Sequence, residues 1–174
     1  RMGRGHYRPE PLLDFVRELA GVWPLFGLGA DILTGFPGET DDQFRQTLEF
    51  VRQAPLTYAH VFPYSRRPGT PAATFPNQIP REVKKERAAK LRELAAAKKR
   101  RFAQTLAALP QVAPVIETLS PTGGVCEYYV ECRFDETAPA PAAAPRDIVP
   151  ARPLRATDGP LLVAPLAKAA GERP

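Results

Sequence analysis

The chain has 174 residues, a 44% apolar fraction and a formal charge of +5, enough for one domain or a domain with a small module. No apolar run approaches the ~20 residues of a membrane span, and no apolar stretch follows the basic first residues, so neither a span nor a signal peptide is expected. Cys126 and Cys132 make neither a disulfide framework nor a metal motif, which points to a reduced, cytoplasmic setting.

The opening Arg1-Met2-Gly3-Arg4-Gly5-His6-Tyr7 has no initiator methionine at position 1, so a piece of a longer protein or a trimmed chain is expected. Glu10–Ala20 reads as a helix: Leu12, Phe15, Val16 and Leu19 form a stripe at i, i+3, i+4, i+7, and Gly21 suits the position just past its end. After a loop through Trp23, Pro24 and Gly27, Gly29–Thr34 reads as a buried strand. Gly35, Pro37 and Gly38 suit a tight turn. Thr40 then caps a helix over Asp41–Gln53, with Gln43 at capping-box spacing. Asp41 and Asp42 favour the dipole of its first turn, and Phe44, Leu48 and Val51 share one face.

Thr57–Phe62 reads as a second strand, so β-α-β recurs within about 35 residues, the length of a parallel crossover unit. The loop Pro63–Pro71 follows, and Pro80 opens a long helix over Arg81–Leu109. Its apolar stripe is Leu91, Leu94, Ala95, Phe102 and Leu106, with the charges elsewhere. Beyond Pro110, Val112–Leu119 and Glu127–Phe134 read as a hairpin around Pro121–Gly124. Ala138–Pro145, almost pure Ala and Pro, reads as a disordered or polyproline linker. Ile148–Leu154 and Leu161–Leu166 read as two more strands around Asp158-Gly159, and Ala167–Pro174 as a frayed end. The expected class is α/β: residues 1–109, with the basic helix 81–109, form a parallel α/β part, and residues 110–174 a small all-β module.

In parallel α/β folds ligands sit at the carboxyl ends of the strands. The Gly35–Glu39 turn lies at one such end; it lacks the Gly-x4-Gly-Lys-Ser/Thr pattern of a P-loop, and a capped Pro-Gly turn also makes sense as structure alone. Asp31, inside an apolar strand, must be paired, hydrogen-bonded or facing a cavity. The loop Tyr64–Thr70 leaves the second strand at the same rim, where Arg66 and Arg67 either grip a carboxylate or phosphate or are solvated. His60 in an apolar strand reads as a core residue. Cys126 and Cys132, at even spacing, fall on one face of the hairpin as small core or surface residues; two thiols alone do not complete a zinc site. Tyr128, Tyr129 and Arg133 suit base stacking and phosphate contact on a small barrel, with burial of one tyrosine equally open. Ten Lys or Arg and three Glu lie between Arg81 and Arg101, a local +7 against −2 for the rest. That stretch reads as a solvated helix face or as the footprint of a polyanion, RNA first.

Three segments together resemble the carboxyl-terminal half of a radical S-adenosylmethionine (SAM) methylthiotransferase, in particular the branch that modifies threonylcarbamoyladenosine in tRNA. They are Met2–Tyr7, Asp31-Ile-Leu-Thr-Gly-Phe-Pro-Gly-Glu-Thr40 and His60-Val-Phe-Pro-Tyr-Ser-Arg-Arg-Pro-Gly-Thr-Pro-Ala72. The Lys84-Lys-Glu-Arg87 helix with Leu91 adds to them, and the resemblance covers roughly residues 1–109. It implies part of a (β/α) radical SAM barrel whose first strands lie upstream. It also implies [4Fe-4S] clusters, one in a Cys-x3-Cys-x2-Cys loop and one in an amino-terminal domain, whose ligands are not in this chain. On the resemblance, Asp31, Leu33, Gly35 and Glu39 with Arg66 and Arg67 belong to the SAM pocket. The tail from Gln111 resembles a TRAM domain, a small tRNA-binding β-barrel; its usual Thr-Glu-Asn-Tyr element corresponds to Cys126-Glu-Tyr-Tyr129, so Glu127 and Tyr129 fit. Lys84, Lys85, Arg87, Tyr129 and Arg133 are the expected RNA contacts. The resemblance thus implies methylthiolation of C2 of an adenosine beside the anticodon by the intact protein, with tRNA and the missing amino-terminal part as partners and this chain alone inactive. Two alternatives stay open: an RNA-binding module only, or a radical SAM enzyme acting on a ribosomal protein or a porphyrin precursor.

Overall fold

The computed structural model describes residues 2, 8–23, 25–109, 115–138 and 143–166, so the segment 3–7, the strand start 112–114, the middle of the Ala/Pro stretch and the tail 167–174 lie outside the described residues. The chain divides into two compact units, residues 1–98 and 99–174.

The first unit contains α1 (Pro9–Val22), β1 (Gly29–Thr34), α2 (Asp41–Gln53), β2 (Tyr58–Pro63) and most of α3 (Arg81–Ala107). β1 and β2 pair in parallel from Gly29 opposite Tyr58 to Thr34 opposite Pro63. Strand alternation sends Ala30, Ile32, Ala59 and Val61 to one face. There they pack with Phe44 and Val51 of α2 and Ala88 and Leu91 of α3. The capping box at α2 forms in full: Thr40 Oγ1 accepts from Gln43 N–H, and Gln43 Oε1 accepts from Thr40 N–H. The α3 stripe holds too, with Leu91, Ala95 and Leu106 buried and Leu94 and Phe102 half-buried.

The other face of the two strands is open, and two expectations change there. Asp31 is exposed rather than enclosed, and His60 is exposed rather than in the core. Among the described residues the sheet has two strands, and helices α2 and α3 pack on the face of Ile32 and Val61, so the apolar run of β1 is half-buried rather than buried on both faces. The α1 stripe is likewise only partly used: Val16 is buried, whereas Leu12 and Phe15 are 43% and 60% exposed. Gly21 does not end that helix, which runs on to Val22.

The second unit is a closed five-stranded barrel in the order β3-β4-β5-β7-β6, from β3 (Val115–Ser120), β4 (Gly123–Cys126), β5 (Glu131–Phe134), β6 (Ile148–Ala156) and β7 (Leu161–Pro165). β5 and β7 pair in parallel and the other neighbours antiparallel. Ile116, Cys126, Val130, Cys132, Phe134, Val149, Ala151, Leu161 and Val163 are among its buried hydrophobic residues. Thr118 is buried with them and is satisfied: its hydroxyl donates to the Ala144 and Asp147 carbonyls at 2.5 and 3.2 Å.

The strand expected over Glu127–Phe134 is instead a turn at Glu127–Val130 followed by β5. The turn expected over Pro121–Gly124 is present but confined to Pro121–Thr122; Gly123 and Gly124 lie in β4, and a second turn follows at Glu127–Val130, where Tyr129 N–H donates to the Cys126 carbonyl. The reason is steric. A Cβ at Gly124 would stand 1.9 Å from the Glu117 carbonyl oxygen, and one at Gly123 2.2 Å from that of Cys132, so only glycine lets these strands approach.

Candidate functional site

The turn that leaves β1 is held by one carboxylate. Glu39 Oε2 accepts from Gly35 N–H at 2.8 Å and from the Thr34 hydroxyl at 3.3 Å. Arg87 of α3 donates to the same oxygen at 2.6 Å, to the Glu39 carbonyl at 3.1 Å and to Asp41 Oδ1 at 2.6 Å. The Arg87 side chain is 7% exposed and lies over the Phe44 ring. Burial disfavours its charge, but the hydrogen bonds and charges of Asp41 and Glu39 outweigh that and raise its pKa. The hydrogen bond and charge of Arg87 hold the Asp41 carboxyl below its ordinary value. Glu39, expected at the SAM pocket, and Arg87, expected at RNA, therefore meet each other in an inward-facing clamp. Gly35 has φ +74°, and a Cβ there would meet the Lys84 stem at 2.4 Å; the turn and α3 touch at that point.

The open face of the strands carries Asp31 and Leu33 of β1 beside Tyr58, His60 and Phe62 of β2. The His60 ring lies edge-on to Tyr58 at 5.7 Å and tilted against Phe62 at 6.4 Å. An aromatic surface with one carboxylate at its edge suits a heterocycle bearing hydrogen-bond donors. Arg66 and Arg67 are both exposed on the loop after β2. The structure separates their surroundings: Arg66 lines a cavity of about 390 Å³ with Tyr64, Lys84 and Lys85, whereas Arg67 is not among its lining residues. Arg81 and Arg92 line the same cavity. Sequence reasoning missed that grouping, although positions 81, 84, 85, 88 and 92 follow one helical stripe.

On the barrel, Tyr129 is 62% exposed at φ +58°, a left-handed backbone that is costly for a bulky residue. With the exposed Arg133 and Lys99 it lines a groove of about 410 Å³. Tyr128 is half-buried, edge-on to Phe102 at 6.0 Å. Cys126 and Cys132 are buried within the barrel. A hydrogen bond with Cys132 pulls the Cys126 thiol down to about 7 against burial, and the same bond and burial push Cys132 up. Among the described residues no group of three or more His, Cys, Asp or Glu could hold a metal ion, so a [4Fe-4S] cluster does not fit the residues present here.

No family model matches the chain. Curated proteins do. The chain is 46% identical over 93 residues to the threonylcarbamoyladenosine tRNA methylthiotransferase of Rickettsia prowazekii, covering 53% of this chain and 22% of that protein. It is 45% identical over 91 residues to the tRNA-2-methylthio-N(6)-dimethylallyladenosine synthase of Acidothermus cellulolyticus, covering 52% and 18%. It is 40% identical over 94 residues to the synthase of that name from Ehrlichia chaffeensis, covering 54% and 21%. The matched stretch thus spans about a fifth of the length of these relatives.

Proposed function

We propose that this chain is part of a tRNA methylthiotransferase that places a methylthio group on C2 of an N6-modified adenosine beside the anticodon, with N6-threonylcarbamoyladenosine as the first substrate to test. The observation that carries this is 40–48% identity over about half the chain to proteins named for tRNA methylthiolation. SAM is the cofactor, and when bound at a cluster supplied from elsewhere it furnishes the radical chemistry. In this chain the open face of β1 and β2 would hold its adenosine: Leu33 and the aromatic rings of β2 offer the apolar surface, and Asp31 accepts from donors on the base or ribose. The Gly35 N–H is committed to Glu39, so that carboxylate shapes the turn instead of meeting the ligand. Tyr129 and Arg133, exposed on the barrel, would stack a base and hold phosphate. The whole protein acts in the cytoplasm, where its tRNA is.

The test is nucleoside mass spectrometry of tRNA from cells lacking the whole gene, then from cells complemented with it. The expected result is loss and return of the 2-methylthio form of N6-threonylcarbamoyladenosine. A return of the dimethylallyladenosine product alone would reassign the branch, and no change in either nucleoside would sink the reading. This chain supplied with iron, sulfide and SAM should release no 5′-deoxyadenosine; release would show that cluster ligands are present after all.

RNA binding without chemistry is the second reading, favoured by the exposed Tyr129 and Arg133 on a closed barrel. It predicts steeply salt-dependent tRNA binding by the chain and unaltered nucleosides in cells lacking the gene.

A further inference from the structure

The cavity at the carboxyl end of β2 is walled by cations. Arg66 comes from the loop after β2, and Arg81, Lys84, Lys85 and Arg92 come from one stripe of α3. No carboxylate is among its lining residues, and the nearby Glu86 of α3 pairs instead with Lys90 at 2.6 Å. Five like charges around one cavity repel one another, a cost that an exposed helix face ordinarily avoids by spreading or pairing its charges. Two of the five are held in place. Arg92 donates to the Val61 carbonyl at 3.2 Å, and Lys84 packs its stem on Gly35 and sets its ammonium 5.6 Å from the Tyr64 ring centroid. Tyr64 is itself 9% exposed, and its hydroxyl is buried without a hydrogen-bond partner among the described residues. Buried hydroxyls are ordinarily paired, so this wall has a polar atom that the described residues leave unsatisfied.

We infer that this cavity binds a backbone phosphate of RNA, with Arg66 and Lys85 as its exposed grips and Lys84 and Arg92 as its fixed ones. A phosphodiester answers the charge, because guanidinium and ammonium donors surround it from two elements. The cavity exceeds a single phosphate group and leaves room for a flanking ribose. Arg66 then belongs with the RNA and not with SAM, whereas Arg87, one turn along α3 from Lys84, is excluded by its clamp on Glu39. That the phosphate belongs to RNA rests on the tRNA reading above; the phosphate chemistry does not.

The test uses the 174-residue chain and an anticodon stem-loop RNA whose phosphates are neutralised one at a time as methylphosphonates. For the unaltered chain, one position, or two adjacent ones, should cost about tenfold in affinity. The double variant Arg66→Gln/Lys85→Gln should bind the native RNA about tenfold more weakly, with a salt slope smaller by about 1, and should lose no more at that position. The variant Arg66→Lys/Lys85→Arg keeps the charge and should stay within about threefold, which separates binding from folding damage. Equal losses at all positions, or an unchanged sensitive position in the double variant, would overturn the inference. Saturation of Arg66 and Lys85 by micromolar inorganic phosphate, with no position-specific RNA effect, would overturn the RNA assignment in favour of a free phosphate. The position-specific signature in a protein that leaves tRNA nucleosides unchanged would keep the cavity and remove the methylthiolation reading.

Discussion

Arg87→Met tests the clamp. Methionine keeps an unbranched stem over Phe44 and removes the guanidinium that meets Glu39 and Asp41 at 2.6 Å each. Deleting one partner of a buried pair costs about 3–5 kcal/mol, because the other charge is left uncompensated. Glu39, 13% exposed, keeps the Gly35 N–H and the Thr34 hydroxyl after the change. Asp41 is 78% exposed and returns to water, so it adds little to the loss. The expected loss is therefore at the low end, about 3 kcal/mol. For a unit of this size that is a fall of about 12–24 °C in Tm. Helix melting by circular dichroism and urea titration both read it, since the described helices lie within residues 9–107. The double variant Arg87→Met/Glu39→Gln should recover at least about 1 kcal/mol relative to the sum of the singles, because the stranded carboxylate is gone. A loss below about 1 kcal/mol for Arg87→Met, or single effects that add within about 0.5 kcal/mol, would refute the clamp.

The pH dependence of the same contact has a definite sign. Arg87 holds the Asp41 carboxyl below its ordinary value, so its contribution is present above about pH 4 and is lost as the pH falls through the lower folded value. Asp41→Asn should flatten the acid limb of the stability profile and leave it unchanged at neutral pH apart from a constant offset. Tyr129→Gly should relieve the left-handed backbone and stabilise the barrel by about 1 kcal/mol. It should also weaken binding to single-stranded RNA about tenfold by removing the exposed ring; a variant that binds RNA as before would remove Tyr129 from the interface. Gly124→Ala should destabilise the barrel by more than about 2 kcal/mol, since its Cβ meets backbone at 1.9 Å and that strand must shift; a wild-type urea midpoint for the barrel would contradict the close approach.

Local order was legible in the sequence because it rests on neighbours along the chain. The capping box at Thr40 and Gln43, the bounds of β1 and the α3 stripe each follow from spacing over a few residues, and each is present. The resemblance carried by the strand-end segments agrees with the relatives' printed names at the level of tRNA methylthiolation. Glu39 was legible at the rim and Arg87 as a charge of the basic helix, but their mutual contact spans 48 positions and no local pattern encodes it. Asp31 and His60 were misjudged for a related reason: whether a strand face is covered depends on the elements laid against it. Here the described helices cover one face and leave the other open.

The periodicities, the caps, the turn at Gly35 and the charge of α3 are properties of short stretches and can be read along the chain. Which charges are spent and which are offered is a matter of the fold. It turned Arg87 inward to Glu39 and gathered Arg66, Arg81, Lys84, Lys85 and Arg92 around one cavity. It also brought the barrel strands so close at Gly123 and Gly124 that only glycine fits there. The physical reason is common to all three: burial and pairing are set by distance in space, and a charge or a ring has the same sequence signature whether it is buried or exposed.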